Sequence, residues 1–142
     1  MGQWRLLEDI ALADCALEVD GRDLPDLFET AAAALARIMV DATALPLTVD
    51  RAIALEGETL DLLLYDWISE LIFLKDRDRE VFPRSEVDVE GGGPFRLRAR
   101  VWGCPIDPDR SALGADPKAV TFHRLSVETH DGGWRARLVI DV

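Results

Sequence analysis

Read for hydrophobic and polar positions, the chain changes period midway: helical spacing dominates the first half and two-residue alternation the second. Residues 15–21, CALEVDG, alternate weakly and stop at Asp20-Gly21, a turn signal, so a strand is predicted there. Asp23 suits a helix N-cap, Pro25 fits a first turn and Asp26 favours the positive end of the helix dipole. Leu24, Leu27, Phe28, Ala31, Leu35, Ile38 and Met39 then recur at helical spacing, predicting an amphipathic helix whose alanine-rich middle would let it lie close to a sheet. Residues 47–57 read as a strand with Val49, Arg51, Ile53 and Leu55 on one side, the arginine being awkward there.

The most apolar element is the predicted helix over 58–76. Leu60, Leu63, Leu64, Trp67, Leu71 and Leu74 form one face, widened by Leu62, Tyr65, Ile72 and Phe73. Asp61, Asp66 and Glu70 confine the polar face to a narrow stripe, which predicts a central helix covered on more than one side. That stripe is acidic, which argues against a helix lying on a membrane surface. Further on, 87–89 read as a strand and Gly91-Gly92-Gly93 as a hairpin turn. In 94–102, Phe95, Leu97, Ala99 and Val101 alternate with Arg96, Arg98, Arg100 and Trp102. Residues 104–118 read as a loop with at most one short turn of helix. Strands over 119–129 and 134–142 flank a turn at 130–133. In the last strand Trp134, Ala136, Leu138, Ile140 and Val142 share one face, and Arg135, Arg137, Val139 and Asp141 the other. The expectation is an α+β fold, two main helices packed on a mostly antiparallel sheet.

Composition narrows the partners. A chain of 142 residues fits one domain, 1–142, and 49% hydrophobic residues suffice for a core without staples. Cys15 and Cys104 lie far apart and outside any metal-ligand spacing, so a reduced, cytoplasmic protein is expected. The sequence has no apolar run of about 18 residues, and its opening lacks the pattern of a signal peptide. The formal net charge of −11 disfavours direct, non-specific binding to nucleic acid. Cations, or a protein with a basic face, are the partners such a charge suits; solubility alone would also account for it.

Candidate chemistry is sparse. His and Cys never cluster as zinc ligands would. A nucleophile pair of Cys15 or Cys104 with His123 would need an orienting acid, and a lone strand histidine is more often structural. The triple glycine lacks the flanking residues of a phosphate-binding loop. The stripe Arg96, Arg98, Arg100 reads first as a solvated strand face balanced by nearby acids. The carboxylates stand out. Glu8, Asp9 and Asp14 interrupt the apolar run EDIALADCALEV, and Asp14 lies among small apolar residues. Asp141 sits in the final strand beside the terminal carboxylate, where like charges repel unless something offsets them. If the first and last strands are neighbours, Asp14, Asp141 and the terminal carboxylate converge, and three hard oxygen donors suit Ca²⁺ or Mg²⁺. By pattern alone, two solvated aspartates at strand ends are the simpler account.

Taken together, ALAD, GRDLPDLFETAAAALARIMVD, LDLLLYDWISELIFLKD, KAVTFHRLSV and the ending WRARLVIDV resemble the archease family in order and spacing over nearly the whole chain. The resemblance implies a small two-layer α/β sandwich and a function as a non-catalytic activator. Its partner would be the RtcB-type RNA ligase of tRNA splicing and RNA repair, and RNA would be reached only through that ligase. The ligase joins a 3′-phosphate or 2′,3′-cyclic phosphate end to a 5′-hydroxyl with GTP and a divalent metal. The family's metal site falls on Asp14, Asp141 and Val142, with calcium the first expectation and magnesium or manganese the others. A histidine common in the family before Ala-Asp is missing: the stretch reads Ile10-Ala11-Leu12-Ala13-Asp14. Lys118 and His123 match the family without an assigned role. Two other classes remain open. One is a metal-dependent phosphoesterase using Asp14, Asp141 and His123, which would require an open coordination position beside the histidine. The other is a chaperone-like module, which would require a large exposed apolar patch.

Overall fold

The computed structural model describes residues 2–7, 14–40, 44–107 and 114–142. Nine elements follow in the order β1 (Gln3–Leu7), β2 (Asp14–Gly21), α1 (Leu24–Met39), β3 (Val49–Gly57), α2 (Leu60–Asp78), β4 (Glu80–Gly91), β5 (Phe95–Pro105), β6 (Ala119–His130) and β7 (Gly133–Asp141). The fold is α+β, with two helices on antiparallel strands, as the pattern predicts. The strands divide into two sheets, ordered β1-β2-β7-β6 and β3-β5-β4. Every pairing is antiparallel.

Local chemistry sets the helix ends. Asp23 caps α1 by accepting from the Asp26 N–H, with proline in the first turn. Thr59 caps α2, and Arg79 closes it in the left-handed conformation at φ 55°. α1 is buried on nearly every side: it packs on β4 of one sheet and on β2 and β7 of the other. Ala31, Ala32, Ala34 and Ala36 keep it thin enough for that position. It also covers an open sheet edge, because Glu29 Oε2 accepts from the outward Val87 N–H of β4 at 2.8 Å. Trp67 of α2 is fully buried and donates from Nε1 to the Phe28 carbonyl at 2.9 Å, joining the two helices. One buried cluster includes Leu17 and Ile140 of the four-stranded sheet together with Leu97 and Val101 of the three-stranded one. No helix among the described residues is long and apolar enough to cross a membrane.

Several predicted elements need adjustment. A strand, β1, precedes the first one expected, and β4 begins at Glu80 rather than at residue 87. The start of β4 was obscured by charge. Glu80 is buried because Arg51 grips both its oxygens, at 2.8 and 3.0 Å, which also explains the awkward arginine of β3. Between Val81 and Arg84 the register of β4 shifts, at Pro83, which has no N–H to give to a ladder. There the strands close up: a Cβ on Gly103 would stand 1.7 Å from the Val81 carbonyl oxygen.

β6 departs further from regularity. Thr121 opposes Val139 and Ser126 opposes Arg137, so five steps along β6 match two along β7. Residues 122–125 therefore leave the ladder, with Arg124 at φ 55°. The excursion exposes Phe122, 63% of whose surface meets solvent, and its ring stacks on Tyr65 of α2 at 4.2 Å.

Candidate metal centre and its surroundings

The β2–β7 pairing sets the geometry of the candidate site. Cys15 opposes Ile140 and Leu17 opposes Leu138, so three of these four side chains, all but the half-buried Cys15, enter the core. The next residues outward, Asp14 and Asp141, are direct cross-strand partners on the opposite face of the sheet. Asp141 also opposes Ala119 of β6, and its carbonyl accepts from the Lys118 N–H at 2.7 Å. That bond holds the last turn of β7 against the start of β6. Val142 follows directly, half-buried, as do both aspartates.

Like charges placed opposite each other across a ladder are destabilising. Among the described residues neither aspartate side chain forms an ion pair or hydrogen bond with a cationic group. Elsewhere in the same sheet the acids are lavishly compensated. Glu18 is 3% exposed and meets Arg5, its β1 partner, Arg137, its β7 partner, at 2.8 Å, and Arg135 at 3.5 Å. Burial pushes the Glu18 carboxyl upward, but the Arg137 hydrogen bond and the charges of Arg135 and Arg5 outweigh it and hold the group below the ordinary carboxylate range. Asp20 is held low in the same way, first by its hydrogen bond from Arg135, whose contacts are 2.7 and 3.1 Å. The Asp14–Asp141 pair thus lacks what its neighbours possess, and hard oxygens without a cationic partner fit a divalent cation.

The described residues contain no cluster of three or more His, Cys, Asp and Glu side chains able to hold a metal. Two aspartates come together; a third donor has to be an oxygen of Val142 or come from elsewhere. His123 does not join them. It lies exposed in the β6 excursion, where its backbone N–H donates to the Thr121 hydroxyl at 3.3 Å. Glu8, Asp9 and the stretch from Ile10 to Ala13, with its missing family histidine, lie outside the described residues.

Lys118 is exposed and contributes its backbone N–H. The segment before it is anchored by Lys75, a buried lysine of α2 that donates to Asp116 at 2.5 Å and to the Pro117 carbonyl at 2.6 Å. Burial alone would lower the Lys75 ammonium; Asp116 and Asp76 reverse that and raise it, so it stays charged. The arginine stripe of β5 faces acids on both neighbouring strands. Arg96 opposes Glu56 and Glu90, and Arg100 opposes Glu86 and pairs with Asp50. It is a sheet face balanced by nearby acids.

Sequence reasoning missed the β6 excursion and the aromatic pair it builds. The signal was present: Val120 and Phe122 are apolar at even positions, Leu125 and Val127 at odd ones. Such a change of parity within one strand marks extra residues.

Two antiparallel sheets sharing two helices, with an uncompensated carboxylate pair where the first long strand meets the last, define a small α+β protein with a candidate hard-cation site. The sequence matches the Archease protein family (MTH1598/TM1083) over residues 4–142. The chain belongs to that family. It is 34% identical over 144 residues to the protein archease of Pyrococcus furiosus, covering all of both chains. Against that of Archaeoglobus fulgidus it is 33% identical over 130 residues, covering 92% of this chain and 93% of the relative. The solution structure of Methanobacterium thermoautotrophicum protein 1598 superposes with a TM-score of 0.79 at 28% identity, covering 98% of each chain. The Thermotoga maritima crystal structure of an archease, possible chaperone, shares the fold, with a TM-score of 0.61 at 19% identity, covering 97% of this chain and 98% of that one.

Proposed function

We propose that this protein is a non-catalytic, divalent-metal-binding activator of an RtcB-type RNA ligase, acting in the cytoplasm as one domain. The observation that carries the reading is the register pairing of Asp14 with Asp141, without a cationic partner among the described residues. Asp14 and Asp141 would hold the ion with an oxygen of Val142. Calcium suits such an all-oxygen set, with magnesium and manganese as the smaller alternatives. The bound ion would supply positive charge at one end of an otherwise acidic molecule.

The chain's own residues do the rest. Two strands distant in sequence contribute one aspartate each, so the pair exists only when β2 and β7 are zipped. The Lys118 N–H fixes the Asp141 carbonyl, and Lys75 fixes the segment leading to Lys118. A net charge of −11 favours docking on a basic, RNA-binding face of the ligase, with association that weakens as salt rises. The phosphoesterase alternative needs His123 beside the metal, and Asp14, Asp141 and His123 form no such group.

The test is multiple-turnover ligation of a 2′,3′-cyclic phosphate end to a 5′-hydroxyl end by the cognate ligase, at matched metal. Addition of the parent protein should raise turnover, and Asp14→Ala should abolish the gain. Equal rates with and without the parent protein would refute activation; full activation by Asp14→Ala would remove the metal from it.

A further inference from the structure

We infer that the outer flank of α2, together with Phe122, is the surface that docks on the ligase, separate from the carboxylates that would hold the ion. The inference rests on the function proposed above and adds the contact face to it. Leu62, Tyr65, Ser69 and Phe73 recur at three- or four-residue spacing, so they line one flank of the helix. Leu62 is 39% exposed and Phe73 49%. With Phe122 they make three of the five large hydrophobic side chains that are exposed among the described residues. The β6 excursion lays Phe122 flat on Tyr65, at an interplanar angle of 2°, and so extends the helix flank onto the sheet. Scattered exposed leucines need no explanation, but rigid aromatic rings gathered on one flank are what interface centres are made of.

Charge chooses the occupant. Asp66 is exposed and Glu70 half-buried beside the stripe, and neither has a salt bridge among the described residues, whereas Glu18, Asp20, Glu56 and Glu80 all pair with arginine. At the far end Arg77 lies over the Phe73 ring at 5.2 Å, but Asp78 already neutralises it at 2.7 Å. A second copy of this chain would bring a second acidic rim against the first. A partner with an apolar hollow ringed by lysine and arginine meets both features, and an RNA ligase carries such basic surface for its substrate. Position supports the same partner. Ala119 opposes Asp141, and Phe122 lies three residues further along β6, so one approach can engage the aromatic pair and bring the carboxylate end close to the ligase.

The experiment measures binding of the full chain to the cognate ligase by calorimetry, with ligation turnover in parallel. Phe122→Ala and Phe73→Ser should each weaken binding about tenfold or more, as interface aromatics do. Calcium-induced rises in melting temperature should stay at the parent value, showing that fold and ion site are intact. Asp66→Lys with Glu70→Lys leaves the apolar side chains alone, and should weaken binding and flatten its dependence on salt. Turnover at limiting activator should fall with affinity and recover at excess. Variants that bind and activate like the parent would overturn the docking face, as would self-association of the parent abolished by Phe122→Ala. A parent protein that never raises turnover refutes the proposed function instead, so the two failures are distinct.

Discussion

The Asp14–Asp141 pair allows a prediction in which a single substitution changes sign with the solution. Asp14→Asn keeps the size and most of the hydrogen-bonding capacity of the side chain and removes one charge. Direct cross-strand partners hold their Cβ atoms about 5 Å apart. At that separation two unit charges repel by roughly 1 kcal/mol in water, and by about 3 kcal/mol at an effective dielectric of about 20. Both aspartates are partly open to solvent, so the lower figure applies. In a chelating buffer Asp14→Asn should therefore be more stable than the parent by about 1 kcal/mol, or about 3 °C in melting temperature for a chain of this size. On the proposed metal site, calcium at about one hundred times its dissociation constant should stabilise the parent by about 2.7 kcal/mol, and the variant, short of one hard donor, by far less. The order of the two melting temperatures should thus reverse between chelator and calcium, read by calorimetry or dye fluorescence. A variant that melts below the parent in chelator, and rises as much as the parent on adding calcium, would refute the reasoning outright.

Further outcomes are expected at three positions. Glu18→Ala leaves three arginines around an empty site and should cost about 2 kcal/mol in urea denaturation, less than a fully buried pair because Arg5 and Arg137 reach solvent. Since the folded Glu18 carboxyl is held low, its contribution is present above the ordinary carboxylate range and is lost as pH falls through its lowered folded value, so Glu18→Gln should show a shallower loss of stability in acid. Burial raises the Glu29 carboxyl despite the Val87 N–H, so its contribution is present below the ordinary carboxylate range and is lost as pH rises through the raised folded value. Glu29→Gln should accordingly melt at or above the parent at neutral pH, while Glu29→Ala, which strands that N–H, should lose about 1–2 kcal/mol. Gly103→Ala forces a methyl against the Val81 carbonyl and should lower the melting temperature by about 10 °C, corresponding to about 3 kcal/mol.

The helices and most strands were legible because their periods are enforced by burial. Leu63, Leu64, Trp67, Leu71 and Leu74 had to share a face, and all five are buried. β1 was not legible: Gln3 and Arg5 alternate with Trp4 and Leu6, but the run is five residues long and Leu6 is 53% exposed. The division into two sheets was invisible for a different reason. Alternation shows which face of a strand is buried and is silent about its neighbours, and no local signal separates β3-β5-β4 from the other four strands. Arg51 looked misplaced because its partner, Glu80, is 29 residues away. For the candidate site, Asp14 among small apolar residues raised the question of a partner, although two solvated aspartates at strand ends were the simpler account by pattern alone. Their register could not be read, because it is fixed by a pairing between the two ends of the sequence.

The row of alanines along α1 acts as a spacer whose thickness sets the gap between the two sheets. Ala31, Ala34 and Ala36 are all buried, and the helix touches β4 on one side and β2 on the other. A longer side chain at any of these positions would work as a wedge, and the strand displaced on one side would be the one that begins with Asp14. The spacing of the acidic oxygens at the rim of the molecule is thereby tied to the smallest side chains at its centre.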